Sequence, residues 1–156
     1  MDPLNASPST HPNPARRRWM SILARADTQE LSALLQAVST PNYTILRGPE
    51  GGLVMVRGRA GGGGAPFNLG EMTVTRCTVR TETGLVGHAY IAGRDGKRAE
   101  LAALADAMMQ DADRTAVLDA HVITPLETRL KARRAERAGK ADATAVQFFA
   151  MQTMRT

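Results

Sequence analysis

The spacing of apolar residues predicts two short helices near the start of the chain. The first has an apolar face at i, i+3, i+4 and i+7, formed by Trp19, Ile22, Leu23 and Ala26. Asp27 is a suitable N-cap for the second helix, and Glu30 three residues later completes a capping box. The buried stripe of this second helix is expected at Leu31, Leu34, Leu35 and Val38. Helices joined so closely predict a helical hairpin, which Pro41 ends.

The middle third has the alternating period of β-strands. Residues 43–47 and 53–59 predict two strands, with Gly51 and Gly52 in a tight turn between them. Residues 72–81 and 85–93 predict two more strands. In the third strand, one face is expected to carry Val74, Arg76, Thr78 and Arg80, and the other Thr75, Cys77 and Val79. Four strands with short connections predict an antiparallel four-stranded meander.

The helical period returns after Gly93. Asp95 is a plausible N-cap for a helix whose apolar stripe runs from Leu101 to Ala112. Thr124 and Pro125 predict the cap and first position of a basic helix, and Gly139 is expected to end it. The tail after it is apolar, so we expect it to close the sheet or to insert into another subunit. The predicted fold is therefore α+β, with an N-terminal helical hairpin, the meander, C-terminal helices and an apolar tail.

Composition sets the domain organisation. Four prolines lie in residues 1–15 among Ser, Thr and Asn, so we expect that segment to be disordered and residues 16–156 to form a single domain. The eight methionines, with only 4% aromatic residues, are typical of adaptable partner surfaces. The single cysteine, Cys77, excludes an internal disulfide and favours a reducing, cytoplasmic setting. No apolar run approaches the roughly 20 residues that span a bilayer.

The net charge of +5 is concentrated in one segment. Residues 129–140 contain six basic residues and one acidic residue, Glu136, so their own balance is also +5. This segment is either a solvated helix face or a docking segment for an acidic partner surface. A free-standing module that binds nucleic acid or nucleotides through Arg76, Arg80 and this helix is an alternative, although few aromatics are available for base stacking.

The glycine run Gly61–Gly64 does not fit a phosphate-binding loop. A P-loop requires Lys and Ser or Thr after its last glycine, whereas Gly64 is followed by Ala65, Pro66 and Phe67. The run also lies between two predicted strands and not before a helix. It is interpreted as a hairpin loop, and four glycines lose so much backbone entropy on ordering that another surface would have to hold it.

No residues are spaced as a catalytic or metal centre. Cys77, His88, His121 and His11 lack the spacing of metal ligands. A nucleophilic pair of Cys77 and His88 is conceivable between adjacent strands, but a buried thiol is the favoured interpretation. Arg76 and Arg80 lie two places apart on one strand face and can share an oxyanion, and Arg94 precedes a helix N-terminus. Surface charges or interface ion pairs are the alternative for these three arginines.

Several motifs together resemble the PhnG subunit of the bacterial carbon–phosphorus lyase system. The most specific are Trp19–Met20, the glycine loop with Gly61, Gly62 and Gly64, the T-R-x-x-V at 75–79, the G-R-D at 93–95, and the F-F-x-M of Phe148, Phe149 and Met151. The resemblance covers about residues 16–154. Arg98 departs from the histidine that the family often has at that position, and the first fifteen residues lie outside the match.

The resemblance implies an assembly-forming, non-catalytic role in a transferase complex. PhnG proteins join PhnI, a nucleosidase-like subunit, with PhnH and PhnL to transfer the ribose triphosphate of ATP to methylphosphonate, which releases adenine. PhnJ, a separate radical S-adenosylmethionine subunit, then breaks the carbon–phosphorus bond. The core is a hetero-oligomer with two copies of each of its subunits. This implies no cofactor, metal or nucleic acid on this chain, ATP as the substrate of the complex, and a partner interface that includes the motif residues quoted above.

Overall fold

A three-stranded antiparallel sheet with helices on one face forms the protein, in a computed structural model that describes residues 13–59 and 64–144. The elements are α1 (Pro14–Leu23), α2 (Thr28–Gln36), β1 (Tyr43–Gly58), β2 (Phe67–Thr81), β3 (Val86–Ala92), α3 (Gly96–Met108), α4 (Ala112–Leu118), a π-helical turn (Asp119–Ile123) and α5 (Thr124–Ala143). An α+β fold is confirmed. None of the described helices is long and apolar enough to cross a membrane. Of the segment 1–15 that was predicted to be disordered, residues 1–12 lie outside the described residues, whereas Pro14 and Ala15 form the start of α1. The apolar tail from residue 145 also lies outside the described residues.

The described sheet has three strands in the order β1-β2-β3, so the prediction of a four-stranded meander is wrong. The two strands expected on either side of Gly51 and Gly52 are one continuous strand, β1. Gly51 pairs with Thr75 of β2 and Gly52 with Val74, because β2 is long enough to pair with both halves. The register of the β1–β2 pairing shifts between Arg47 and Glu50. Gly48, which has a positive φ of 74°, lies at this shift. These glycines therefore lie in and beside a bulged strand, not in a turn.

Helix α3 packs across the sheet and forms the centre of the core. Its residues from Leu101 to Met108 are all buried, and half of them are alanine. The small side chains allow close approach to β3 at Gly87, where a methyl group would lie 2.8 Å from Cβ of Ala107 and closer still to the helix backbone. The predicted inward face of β2 is confirmed, since Thr75, Cys77 and Val79 are buried.

Helices α1 and α2 pack against the same helix, α3. All four residues of the predicted apolar face of α1 are buried, and the Asp27 side chain caps α2 by accepting from the N–H groups of Gln29 and Glu30. Helix α1 begins at Pro14, because the side chain of Asn13 caps it. The Glu30 carboxylate points to α5, where it pairs with Arg133 at 3.2 Å, so it does not complete the expected capping box.

The C-terminal helices differ from the prediction at two boundaries. Thr124 does not act as a cap, since α4, the π-helical turn and α5 form one continuous helical path. The wider turn directly precedes Pro125, which has no N–H to donate and would break a regular α-helix there. Gly139 does not end α5, which continues to Ala143. A single glycine without a positive φ costs a helix only about 1 kcal/mol relative to alanine.

Candidate functional site

Strands β1 and β2 extend beyond the end of β3 as a two-stranded arm. The arm consists of residues 53–58 and 67–73, which pair with each other from Leu53↔Thr73 to Gly58↔Phe67. Strand β3 pairs with β2 only from Val74 to Arg80, so no strand within residues 13–59 and 64–144 extends the sheet beside the arm. Seven residues of strand correspond to about 23 Å of projection.

Large apolar side chains are exposed on this arm. The exposed fractions are 63% for Leu53, 57% for Leu69, 54% for Met55, 48% for Phe67 and 42% for Met72. Its only charged side chains are Arg57 and Glu71. Leu53 and Met55 share one face of β1, whereas Met72 lies opposite Val54 on the other face. Both faces of the arm are therefore apolar, which a strand that lies on its own core does not show.

Such an arm is stabilised when another surface covers it. An isolated two-stranded hairpin is at best marginally stable in water, and contiguous exposed apolar patches mark interaction sites. Burial of a large apolar side chain contributes about 1.5–3 kcal/mol, so covering the exposed half of these five side chains contributes about 5 kcal/mol in total. The arm can act as a docking element that is stabilised by its partner.

The glycine run lies at the tip of this arm, between the end of β1 and the start of β2. Gly64 is exposed and has a positive φ of 98°, a conformation that glycine adopts at little cost. Gly61 and Gly62 lie outside the described residues. Because the strands on either side of the run pair with each other, its predicted position between two strands is confirmed, and the next described element is β2 and not a phosphate-binding helix.

Trp19 is buried inside the fold, with only 6% of its surface exposed. Its indole N–H donates to Oδ1 of Asp106 at 2.8 Å. Asp106 is fully buried on α3 and also accepts from the His88 backbone N–H at 2.9 Å and from the Arg16 guanidinium at 2.7 Å. This carboxylate joins α1, α3 and β3. Neighbouring Met20 is only partly buried, packs against the core, and lines a shallow cleft of about 200 Å³.

The predicted anion-binding arginines do not share a pocket. Arg76 and Arg80 are both exposed on β2, but four residues of strand separate their Cα atoms by about 13 Å. The Arg76 Nε donates to Glu50 at 2.5 Å, which leaves it paired with a carboxylate. Arg80 lines a cleft with Asn42 and Thr44, whereas Arg94 lines a different one beside Gly51.

The same positions argue against the predicted nucleic-acid surface. Arg76 and Arg80 lie on the sheet face opposite α3, whereas α5 lies in the helical layer, where it contacts α1 and the π-helical turn. The arginines of β2 and those of α5 therefore do not form one continuous basic surface.

Cys77 and His88 do not form a nucleophilic pair. Cys77 pairs across the strands with Ala89, whereas His88 pairs with Thr78 and therefore lies on the opposite face of the sheet. His88 Nδ1 lies 3.2 Å from the Thr78 hydroxyl. Burial, with a smaller contribution from Glu100, raises the pKa of the Cys77 thiol, which keeps it protonated and unreactive. In the described parts of the chain, no group of three His, Cys, Asp or Glu residues is placed to hold a metal ion.

Two features of the site were not found from the sequence. The sequence predicts Leu53, Met55 and Met72 only as strand residues and places Leu69 in the loop before residue 72, whereas β2 already begins at Phe67. Apolar residues on both faces of a strand can indicate a covered element. Asp106 was not singled out from the sequence, although a lone aspartate in an alanine-rich apolar stretch is an indication of a buried, paired carboxylate.

Known proteins similar to this chain come from phosphonate metabolism. Residues 14–154 match the model of a family described as phosphonate metabolism protein PhnG. A curated relative from Rhizobium meliloti (strain 1021), alpha-D-ribose 1-methylphosphonate 5-triphosphate synthase subunit PhnG, is 49% identical over 137 residues. The match covers 87% of this chain and 87% of the relative.

Proposed function

Since the chain belongs to the PhnG family of phosphonate metabolism proteins, we propose that it is an assembly-forming subunit of the alpha-D-ribose 1-methylphosphonate 5-triphosphate synthase. The complex transfers the ribose triphosphate of ATP to methylphosphonate and releases adenine. This chain supplies structure and not the catalytic groups, which agrees with the separation of Cys77 from His88. An assembly that consumes ATP acts in the cytoplasm.

The exposed apolar arm is the observation that carries the structural part of this proposal. A chain that exposes five large apolar side chains on a two-stranded projection is suited to insertion into a neighbouring subunit. PhnI, PhnH, PhnJ and PhnL types are the partners that the family resemblance implies, in an assembly with two copies of each core subunit. The arm docks on the PhnI type, and the glycine loop at its tip becomes ordered against that surface.

Co-purification with a PhnI-type subunit tests this role. The arm variant carries Leu53→Ser and Met55→Ser, and the control carries Val117→Ser and Tyr90→Ser, whose side chains are 53% and 51% exposed but lie outside the arm. We expect the wild type and the control to co-purify with the partner and the arm variant to lose at least tenfold in affinity. A fully folded wild-type chain that stays monomeric with the partner subunits present would contradict the proposed function.

A further inference from the structure

Five arginines converge on a cleft that the arm residues do not line. The cleft has a volume of about 660 Å³ and lies where the α1–α2 connection, the start of α3 and the middle of α5 meet. Its basic residues are Arg25, Arg98, Arg133, Arg134 and Arg137. Leu130, Ala24 and Ala92 form its apolar part. Its size lies in the range of small-molecule sites, about 300–1,000 Å³.

Among the residues that the structure describes, no carboxylate lines this cleft. Arg133 pairs with Glu30 at 3.2 Å, while Arg25 donates to the backbone and hydroxyl oxygens of Ser21. Within residues 13–59 and 64–144, Arg134 and Arg137 make no ion pair or side-chain hydrogen bond. In the segments outside that description, Asp2 is the only acidic side chain. The described part of the chain therefore leaves most of this positive charge uncompensated.

Arg98 gives a second indication that the cleft is a binding site. Its terminal nitrogens donate to the carbonyl oxygens of Ala92 at 2.7 Å and Ala26 at 3.5 Å, which hold the guanidinium in place at the cleft. Its Nε is buried and has no hydrogen-bond partner among the described residues. A buried donor without a partner costs about 1–3 kcal/mol, so an acceptor supplied from outside the chain would stabilise this arrangement.

The chemistry of the cleft selects oxyanions, and we propose that it binds the triphosphate group of the substrate or product of the synthase. The basic residues that line it are all arginine, whose planar fork matches phosphate oxygens in bidentate geometry, whereas Lys131 and Lys140 of the same helix lie outside it. The several negative charges of a triphosphate match several guanidinium groups. This inference rests on the proposed function, because the name of the R. meliloti relative specifies a 5-triphosphate.

Titration calorimetry with inorganic tripolyphosphate tests this site, on the full chain and on its complex with the partner subunits, at 150 mM salt. The cleft variant carries Arg134→Gln and Arg137→Gln. The matched control carries Lys131→Gln and Lys140→Gln, which removes the same charge from the same helix. We expect wild type and control to bind equally and the cleft variant at least tenfold more weakly. ATP should compete with tripolyphosphate, whereas AMP should compete at least tenfold less well.

Three outcomes would overturn the inference. In the first, tripolyphosphate binds neither the wild-type chain nor the complex. In the second, the cleft variant and the control lose the same affinity for tripolyphosphate. In the third, the cleft variant binds tripolyphosphate normally but fails to assemble. The last result would assign the cleft to an acidic segment of a partner subunit. A different result would contradict the proposed function, namely that the wild-type chain does not assemble with the partner subunits. The two failures can therefore be distinguished.

Discussion

Replacement of Asp106 by asparagine is expected to destabilise the protein strongly. The carboxylate accepts four hydrogen bonds, from the indole of Trp19, the backbone of His88 and two nitrogens of Arg16. Asparagine keeps the volume but replaces one acceptor oxygen by an NH₂ group, which then faces donors. Because Arg16 is 32% exposed, it can bind water instead, and the main cost falls on the buried donors of Trp19 and His88.

The magnitude follows from those buried donors. One or two unsatisfied groups at about 1–3 kcal/mol each give a loss of about 3 kcal/mol in the free energy of unfolding. In a chain of this size that corresponds to a fall of about 6–12 °C in Tm. Denaturant and thermal unfolding of the full chain can be followed by the fluorescence of Trp19, the only tryptophan.

The matched control is Asp119→Asn, which also removes a carboxylate paired with an arginine of α1, here Arg18 at 2.6 Å. Both side chains of that pair are about 40% exposed, so the control should cost less than about 1 kcal/mol. A loss for Asp106→Asn no larger than the loss for Asp119→Asn would refute the reasoning that the buried carboxylate joins α1, α3 and β3.

Two further predictions concern the packing of α3 on the sheet. A hydrogen bond to Glu100, with burial, raises the pKa of Tyr43 to about 12, so its contribution to stability is present below pH 10 and is lost as the pH rises through 12. In denaturant titrations, the free energy of unfolding should fall less between pH 10 and 12 in Tyr43→Phe than in the wild type. An equal fall in both proteins would contradict the raised pKa of Tyr43. Gly87→Ala should cost about 3 kcal/mol of unfolding free energy, because backbone blocks the added methyl group. Gly51→Ala is its control, with no atom within 4 Å, and equal losses for both would contradict the packing.

The sequence predicted elements whose signal is local. The apolar face of α1, the Asp27 and Asp95 caps and the inward face of β2 each depend on a few neighbouring residues, and the structure confirms them. Gly51 and Gly52 misled the prediction because a turn and a bulged strand share the same local composition, and only the long partner strand β2 decides between them. Thr124 and Gly139 are similar cases, since residues that can cap a helix are also tolerated inside one.

The candidate site was less predictable because it depends on contacts distant in sequence. Asp106 gains two of its three partners, Arg16 and Trp19, from about 90 positions earlier in the chain. The cleft likewise brings Arg25 and Arg98 to the side of α5. The arm is visible only when the lengths of β1, β2 and β3 are known together. The family motifs identified the subunit, but of the motif residues predicted for the interface, Trp19 lies in the core and Phe148, Phe149 and Met151 lie outside the described residues.

Hydrogen–deuterium exchange of the arm tests the central claim most directly. The measurement compares the backbone amides of residues 53–58 and 67–73 in the isolated chain and in the complex with a PhnI-type subunit. Docking of the arm predicts at least tenfold slower exchange there on assembly, since a covering surface suppresses the opening of a two-stranded projection. The amides of β3 serve as the internal reference and should change little. An assembled complex in which the arm exchanges as fast as in the isolated chain would contradict the account.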